Sequence, residues 1–277
     1  MGRPDDHQRA EDSNRHLWNE IAPVHMTAYE EVRILREGGE ILDADELGDV
    51  GNVAGKSLLH LQCHIGTDTL AWRRRGAVVT GVDFSPVSIA CSRRLAAELG
   101  LEARFIEANL YDLPQVLSEP FDIVYTSRGV LCWLRDLKAW GELIARYLSP
   151  GGIFYMMEAH PLLNALGETS PGTLSVAHRY FHREQPTAWD DTEGDYADPT
   201  YVPSHPSYEW EWSLADVFRA LLCAGLRIEH FDEQQRLFFR RYPSMELCAP
   251  RWYHLPRHKG KLPLLFTLRA RKPTDGG

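Results

Sequence analysis

The chain has 277 residues, of which 44% are hydrophobic and 10% aromatic, and its formal net charge is -9. That length can bury the core of one elaborated α/β domain, and an acidic chain without a long Lys/Arg run argues against nucleic-acid binding, which depends on neutralising phosphates. The five cysteines are scattered without a Cys-x-x-Cys pair, which favours a reducing compartment over a disulfide framework.

No stretch is apolar for the ~20 residues that a membrane span needs, and the amino terminus has no apolar core of signal-peptide length. We therefore expect a cytoplasmic protein without a membrane partner. We expect a monomer or a homodimer, built as a single domain over residues 1–277.

The chain begins with a helical region. Residues 13–50 have the pattern of one or two helices, with a break near Pro23 because a proline cannot continue the hydrogen-bond ladder of a helix. In this region Trp18, Ile21 and His25 recur at helical intervals, and such a stripe more often packs into a core than contacts a ligand. We expect the region to form a helical cap on the domain.

Short apolar runs alternate with amphipathic segments over residues 55–161. This alternation predicts a parallel sheet covered by helices on both faces, as in doubly wound Rossmann-like folds. The predicted strands span residues 57–62, 78–82, 103–107, 121–126 and 153–158, and the predicted helices span residues 67–75, 86–99 and 137–148.

Residues 162–212 interrupt the alternation. They are rich in Pro, Gly, Tyr, Trp, His and Asp and show no sustained period, so we interpret them as an inserted lid or substrate segment. The aromatic side chains in this segment could wall a flat ligand, or they could only anchor a long loop. Residues 213–272 then complete the sheet, with a helix over 214–224 and strands over 226–232 and 263–270.

Polar side chains follow the predicted strands at their carboxyl ends, where an open parallel sheet binds its ligands. Asp83, about 20 residues after a glycine turn, could accept both hydroxyls of a ribose, or it could cap the helix that opens after Ser85. The candidate positions are Gln62, His64, Gly66, Thr67, Asp68, Asp83, Phe84, Ser85, Asn109, Leu110, Tyr111, Ser127, Glu158 and His160. We expect no metal site, because the histidine pairs lack Cys or carboxylate partners at ligand spacing.

In these features the chain resembles the class I S-adenosylmethionine-dependent methyltransferases. The resemblance covers residues 55–158 and includes the segments "FDIVYTSRGVLCWLRDL" and "LSPGGIFYMMEAHP". It implies a mostly parallel seven-stranded sheet with an antiparallel last strand, and S-adenosylmethionine as cofactor. It also implies a ribose contact from Asp83 and an adenine contact from Asn109. His60 stands where the family usually has an acid, and Gln62 and His64 replace two of the family's glycines.

The replaced glycines bear on the choice of ligand. Glycines let a backbone approach a pyrophosphate closely, whereas S-adenosylmethionine has no phosphate, so the turn favours an adenosyl ligand over a dinucleotide. Backbone carbonyls near Gln62 and the side chain of Asp68 are the candidates for holding the methionine ammonium. Helices before the sheet commonly close over the cofactor in the family. This makes Trp18 a candidate cofactor contact and His25 and Tyr29 candidate contacts of the acceptor.

The resemblance implies methyl transfer, which we expect to proceed by positioned in-line displacement onto a nitrogen or oxygen of a small molecule. The aromatic side chains of residues 162–212 favour an aromatic or heteroaromatic acceptor. His160 and Glu158 are the candidate catalytic groups on the sheet, together with His25 and Tyr29 from the cap, although His160 could simply end its strand. Arg128 could bind an acidic substrate group or form an ion pair. Two alternatives are a nicotinamide-dependent reductase on a similar fold and a non-catalytic, methyltransferase-like binding protein.

Overall fold

The structure is a computed structural model that describes residues 4–190 and 194–274. Three helices precede the sheet: α1 (Pro4–Ala28), α2 (Glu30–Arg36) and α3 (Ala44–Val50). The predicted break near Pro23 is wrong, because α1 continues through this exposed proline and ends before Tyr29, whose backbone is extended. Burial of Ile21, Ala22 and Met26 on the inner side holds the helix against the core on both sides of the proline.

The central sheet is formed from both halves of the chain. The chain segment that supplies the first five strands, together with the helices between them, comprises β1 (Ser57–Leu61), α4 (Thr67–Arg74), β2 (Val78–Asp83), α5 (Pro86–Leu99), β3 (Arg104–Glu107), β4 (Phe121–Ser127), α6 (Leu137–Tyr147) and β5 (Leu148–Ala159). Within residues 162–212, referred to below as the insertion, lie α7 (Leu162–Ala165), β6 (Leu166–Ser170), β7 (Thr173–Val176), β8 (Thr187–Trp189) and β9 (Ser207–Glu209). The last part comprises α8 (Leu214–Cys223), β10 (Arg227–Gln234), β11 (Glu246–Ala249), β12 (Trp252–His254) and β13 (Leu265–Arg271).

Seven strands form the sheet in the order β10-β13-β5-β4-β1-β2-β3. β13 runs antiparallel to both of its neighbours, and the strands from β3 to β5 are parallel, so the predicted fold class is confirmed. Successive residues point to opposite faces: Leu58 and Ile123 pack under one layer of helices, whereas Leu59 and Val124 pack under the other. The chain leaves β1 toward β2 and later returns to β4 on the other side of β1. The carboxyl ends of β1 and β4 therefore flank the crevice where such sheets bind ligands.

Two segments extend beyond this sheet. The insertion contains two short antiparallel hairpins, β6-β7 and β8-β9. A further hairpin, β11-β12, lies between β10 and β13, and the sequence patterns did not reveal it. No helix among the described residues is both long and apolar enough to cross a membrane.

Candidate functional site

The turn at residues 62–66 joins β1 to α4 and has an unusual backbone. Gln62, His64 and Gly66 all have positive φ angles, of 55°, 49° and 76°. A Cβ atom on Gly66 would lie 2.8 Å from the ring of Phe105, so only glycine fits there. Residues with side chains rarely adopt positive φ, and such residues cluster at functional sites. Contacts around this turn therefore have to hold Gln62 and His64 in place.

Asp83 faces the turn from the tip of β2. Its Oδ2 accepts the backbone N–H of His64 at 2.9 Å, and its Oδ1 accepts the N–H of Ser85 at 2.9 Å. The side chain of Ser85, and not Asp83, caps α5 by accepting the N–H of Ser88. Burial raises the pKa of Asp83 to about 6. A carboxylate offers roughly four acceptor positions, so these backbone donors leave acceptor capacity for a hydroxyl donor of a ligand.

Gln62 presents an unpaired acceptor in the same crevice. Its Nε2 donates to the carbonyl oxygen of Val130 at 3.2 Å, whereas its Oε1 is buried without a hydrogen-bond partner among the described residues. Nearby, at the start of α4, the Oδ2 of Asp68 accepts the hydroxyl of Ser127 at 2.7 Å. An unpaired buried acceptor is costly unless a ligand donor satisfies it. An ammonium group such as that of S-adenosylmethionine would supply this donor, so these residues fit the cofactor.

The cap helix α1 lies over the turn. The ring centroid of Trp18 is 4.8 Å from that of His64 and 5.3 Å from that of Trp133, both edge to face. The Nδ1 of His25 is 2.8 Å from the Nε2 of His64, and Tyr29 stacks on His25 at 4.4 Å. Of the three residues that recur at helical intervals on α1, Ile21 therefore packs into the core, whereas Trp18 and His25 reach the crevice.

The candidate residues after β3 lie at the other end of the crevice. Asn109 caps a short 3-10 helix, with its Oδ1 accepting the N–H of Tyr111 at 3.0 Å. Leu110 is buried in the core, and the hydroxyl of Tyr111 donates to the carbonyl of Asp136 at 3.2 Å. Phe84, directly after β2, and Thr67, directly after the turn, are both half-buried.

Glu158, at the end of β5, is fully engaged by the backbone. Its carboxylate accepts N–H groups from Gly129 at 2.7 Å, Val130 at 2.6 Å and Leu131 at 3.2 Å. Burial raises the pKa of Glu158, and these hydrogen bonds act in the opposite direction. The side chain thus shapes the loop after β4, which carries Trp133 to the crevice.

His160 is directed away from the turn. Its Nδ1 accepts the N–H of Leu162 at 3.1 Å, and its Nε2 lies 2.9 Å from the Oε1 of Glu233 on β10. Burial lowers the pKa of this imidazole, while Glu233 acts to raise it. Both ring nitrogens are therefore used in protein contacts, and the structure does not bring His160 together with the turn.

Arg128 forms a buried ion pair. Its Nη2 lies 2.6 Å from the Oε2 of Glu46, which has no exposed surface, and the hydroxyl of Tyr125 donates to the other oxygen of Glu46 at 2.6 Å. Burial raises the pKa of Glu46, whereas Arg128 acts to lower it. The ion pair, rather than an open anion site, is what the structure shows for Arg128.

Several residues at the site had no signal in the sequence. Asp195 of the insertion contacts His25 at 3.0 Å, Ser88 of α5 lies 3.1 Å from the Nδ1 of His64, and Ser85 donates to the side chain of Asn19. These partners come from segments far apart in the chain, so only the fold reveals them. Asp195 could have been found only as one acid among several in the insertion.

Comparisons with known proteins identify the family of the chain. Residues 59–154 match the model of a family described as a methyltransferase domain. The chain is 34% identical over 191 residues to the demethylmenaquinone methyltransferase of Thermus thermophilus, covering 68% of this chain and 81% of that relative. It is 31% identical over 101 residues to the ubiquinone biosynthesis O-methyltransferase of Pseudomonas syringae pv. tomato, covering 36% of this chain and 43% of that relative.

Solved structures show the same fold. A methyltransferase dependent on S-adenosylmethionine from Mesorhizobium loti matches with a TM-score of 0.59 and 21% identity, covering 81% of this chain and 94% of that one. DhpI, solved as a complex with S-adenosylhomocysteine, matches with a TM-score of 0.56 and 16% identity, covering 95% of this chain and 97% of that one.

Proposed function

Because the chain belongs to the class I S-adenosylmethionine-dependent methyltransferases, we propose that it methylates a nitrogen or oxygen of a small aromatic or heteroaromatic molecule. Support for an aromatic acceptor comes from the two relatives above, since both of their names refer to quinones and one is named an O-methyltransferase. A quinol or phenol hydroxyl is accordingly the first acceptor to test.

The observation that carries this proposal is the group of aromatic rings over the turn. Trp18 and Trp133 meet edge to face beside His64, and Tyr29 stacks on His25 next to them. Such rings provide apolar walls for a flat molecule and exclude water from it. They are connected to the polar groups that fit the cofactor through His64, which lies in the same turn as Gln62 and whose N–H donates to Asp83.

The chain's own residues suit a reaction driven by positioning. S-adenosylmethionine supplies a methyl group already activated on a positively charged sulfur, so alignment and exclusion of water can provide much of the acceleration. Among the four catalytic candidates, we assign Glu158 and His160 to supporting the fold, since their polar atoms are bonded to the protein. His25 is likewise bonded at both ring nitrogens, to His64 and Asp195, and is fully buried, so we assign it to supporting the turn. The hydroxyl of Tyr29 contacts that of Tyr196, which leaves the ring of Tyr29 as our candidate for contacting the acceptor.

Binding and turnover measurements test this function separately. Isothermal titration with S-adenosylhomocysteine should show binding, and a titration with NADH should show none, because the turn lacks the glycines that a pyrophosphate needs. Turnover is measured as S-adenosylhomocysteine formed from S-adenosylmethionine with a panel of quinols, phenols and heteroaromatic amines. Lack of binding would refute the proposal, whereas binding without turnover on the panel would favour a non-catalytic binding protein.

A further inference from the structure

Four side chains from separate segments form one continuous hydrogen-bonded row across the turn. The hydroxyl of Ser88 on α5 lies 3.1 Å from the Nδ1 of His64. The Nε2 of His64 lies 2.8 Å from the Nδ1 of His25, and the Nε2 of His25 lies 3.0 Å from the Oδ2 of Asp195. His25 and Asp195 are buried, with 0% and 6% of their surfaces exposed, so water does not compete for these bonds.

The carboxylate at the end of the row fixes where each proton lies. Burial raises the pKa of Asp195, but the hydrogen bonds from His25 and from backbone N–H groups outweigh it and leave that pKa below its ordinary value. An ionised carboxylate only accepts, so His25 donates from Nε2, and in the neutral form of the imidazole its Nδ1 is an acceptor. His64 must then donate from Nε2, and its Nδ1 accepts the hydroxyl of Ser88. One arrangement of protons therefore satisfies every member of the row.

The insertion holds Asp195 in place by attaching to α1 at further points. Asn14 exchanges two hydrogen bonds with the backbone of Tyr208, both of 2.8 Å. Glu20 accepts the hydroxyl of Tyr201 at 2.9 Å and that of Ser204 at 2.8 Å. The position of the Asp195 carboxylate is thus set by the way the insertion lies along the cap helix.

We propose that Asp195 is a positioning residue for the turn at 62–66, acting through His25 on His64. His64 is the residue that links the row to the cofactor crevice, because its backbone has a φ of 49° and its N–H donates to Asp83. A ring fixed at Nε2 by His25 and at Nδ1 by Ser88 holds that backbone in the conformation that Asp83 requires. The inference rests on the proposed function in one respect, namely that the turn binds S-adenosylmethionine.

The substitution Asp195→Asn tests this role with little disturbance of the loop. The Oδ1 of Asp195 also accepts the N–H groups of Ala197 at 2.8 Å and Asp198 at 3.2 Å, and an Asn can keep both bonds. The Nε2 of His25 lies 3.0 Å from Oδ2 and 3.1 Å from Oδ1, so the Asn replaces one of its two acceptors with an amide donor and removes the negative charge. The Nε2–H form of His25 is then held by one neutral acceptor instead of an ionised carboxylate, so the Nδ1–H tautomers of both histidines should become populated, which nitrogen NMR of the imidazoles detects.

We expect the wild type to show Nε2–H at both histidines, and Asp195→Asn to show a mixture with Nδ1–H at both and to bind S-adenosylhomocysteine about tenfold more weakly. The control is Asp198→Asn in the same loop, where the carboxylate accepts only from Thr200 among the described residues. This control should leave both the tautomers and the affinity unchanged. Equal behaviour of the two variants would overturn the proposal.

A double-substitution cycle tests the route of the effect. If Asp195 acts through His25, Asp195→Asn should have no further effect on affinity in a His25→Phe background. A loss that persists undiminished there would overturn the route through His25. If His25→Phe does not fold, as judged by circular dichroism, the tautomers of the single Asp195→Asn variant decide the question. Failure of the wild type to bind S-adenosylhomocysteine would refute the proposed function, whereas the tautomers, measured without ligand, test the row independently.

Discussion

Replacing Asp83 by alanine should weaken binding of S-adenosylhomocysteine, and it should change the stability of the free protein less than the loss of its hydrogen bonds alone would predict. The carboxylate accepts the N–H groups of His64 and Ser85 and, as we propose, the ribose hydroxyls of the ligand. Hydrogen bonds to a charged group each contribute about 1.5–3 kcal/mol. Allowing for partial solvation of the ribose, we expect a loss of about 1–3 kcal/mol in binding free energy, which is about 5- to 150-fold in affinity.

The stability of the free protein responds to two opposing changes. Removing the carboxylate leaves two backbone N–H groups without an acceptor, at a cost of about 1–3 kcal/mol each. It also removes a carboxylate whose ionised form the fold disfavours: the rise of the Asp83 pKa from 3.8 to about 6 is the net result of burial, which raises it, and of the hydrogen bonds, which lower it, and it corresponds to about 3 kcal/mol at ~1.4 kcal/mol per unit of pKa. The two changes oppose each other, so the free energy of unfolding should fall by less than the lost hydrogen bonds alone would predict.

Asp122→Ala provides a matched control for Asp83→Ala. The Oδ2 of Asp122 accepts the backbone N–H and the hydroxyl of Ser57, both at 2.9 Å, at the opposite end of the sheet. This control also loses two bonds that link strands, but it should keep wild-type affinity. Isothermal titration gives the affinities, and urea unfolding gives the stabilities. An Asp83→Ala affinity within twofold of both the wild type and the control would remove Asp83 from the binding site.

Three further predictions concern charge and burial. The pKa of Asp83 lies at about 6, and only the ionised form can accept from both ribose hydroxyls, so wild-type affinity for S-adenosylhomocysteine should be constant above about pH 7 and weaken as the pH falls through 6. A pH series by titration calorimetry should show that Asp83→Ala lacks this step. Glu46→Gln should lower the free energy of unfolding by about 3–5 kcal/mol, because it leaves Arg128 buried without its ion-pair partner. Urea unfolding measures this change, and a value below about 1 kcal/mol would show that the ion pair does not stabilise the fold. His160→Gln should cost about 1–2 kcal/mol of stability but leave ligand affinity within about twofold, and a large loss of turnover at normal affinity would instead identify His160 as the base.

Local patterns predicted the strands because each strand is a short apolar run between turn signals. β1 through β4 begin and end within one residue of their predicted bounds. β5 begins at Leu148 rather than at residue 153, but its register with β4 shifts between Leu148 and Ile153, so residues 149–152 form an irregularity where the sequence carries a turn signal. Burial on the inner face of α1 likewise overrides the effect of Pro23, and a local rule about proline cannot take such burial into account.

The site was only partly predictable, because its most specific contacts join distant segments. Sequence order placed Gln62, Asp83 and Ser127 at the same edge of the sheet, since parallel strands end together. It could not show that His25 contacts Asp195, which lies 170 residues further along the chain. The ion pair of Arg128 with Glu46 is missed for the same reason, since Glu46 lies in a helix 82 residues before it.

The replaced glycines of the turn and the cap above it are two parts of one arrangement. A side chain at positive φ costs about 1–3 kcal/mol, so a turn with Gln62 and His64 persists only if its surroundings hold it. The side chain of Gln62 is bonded to Val130, and that of His64 is bonded to both His25 and Ser88. Glycines at these positions could form none of these bonds. The side chains that strain the turn are therefore the same ones that attach it to α1, and through α1 to the insertion, so the shape of the cofactor crevice depends on segments outside the sheet.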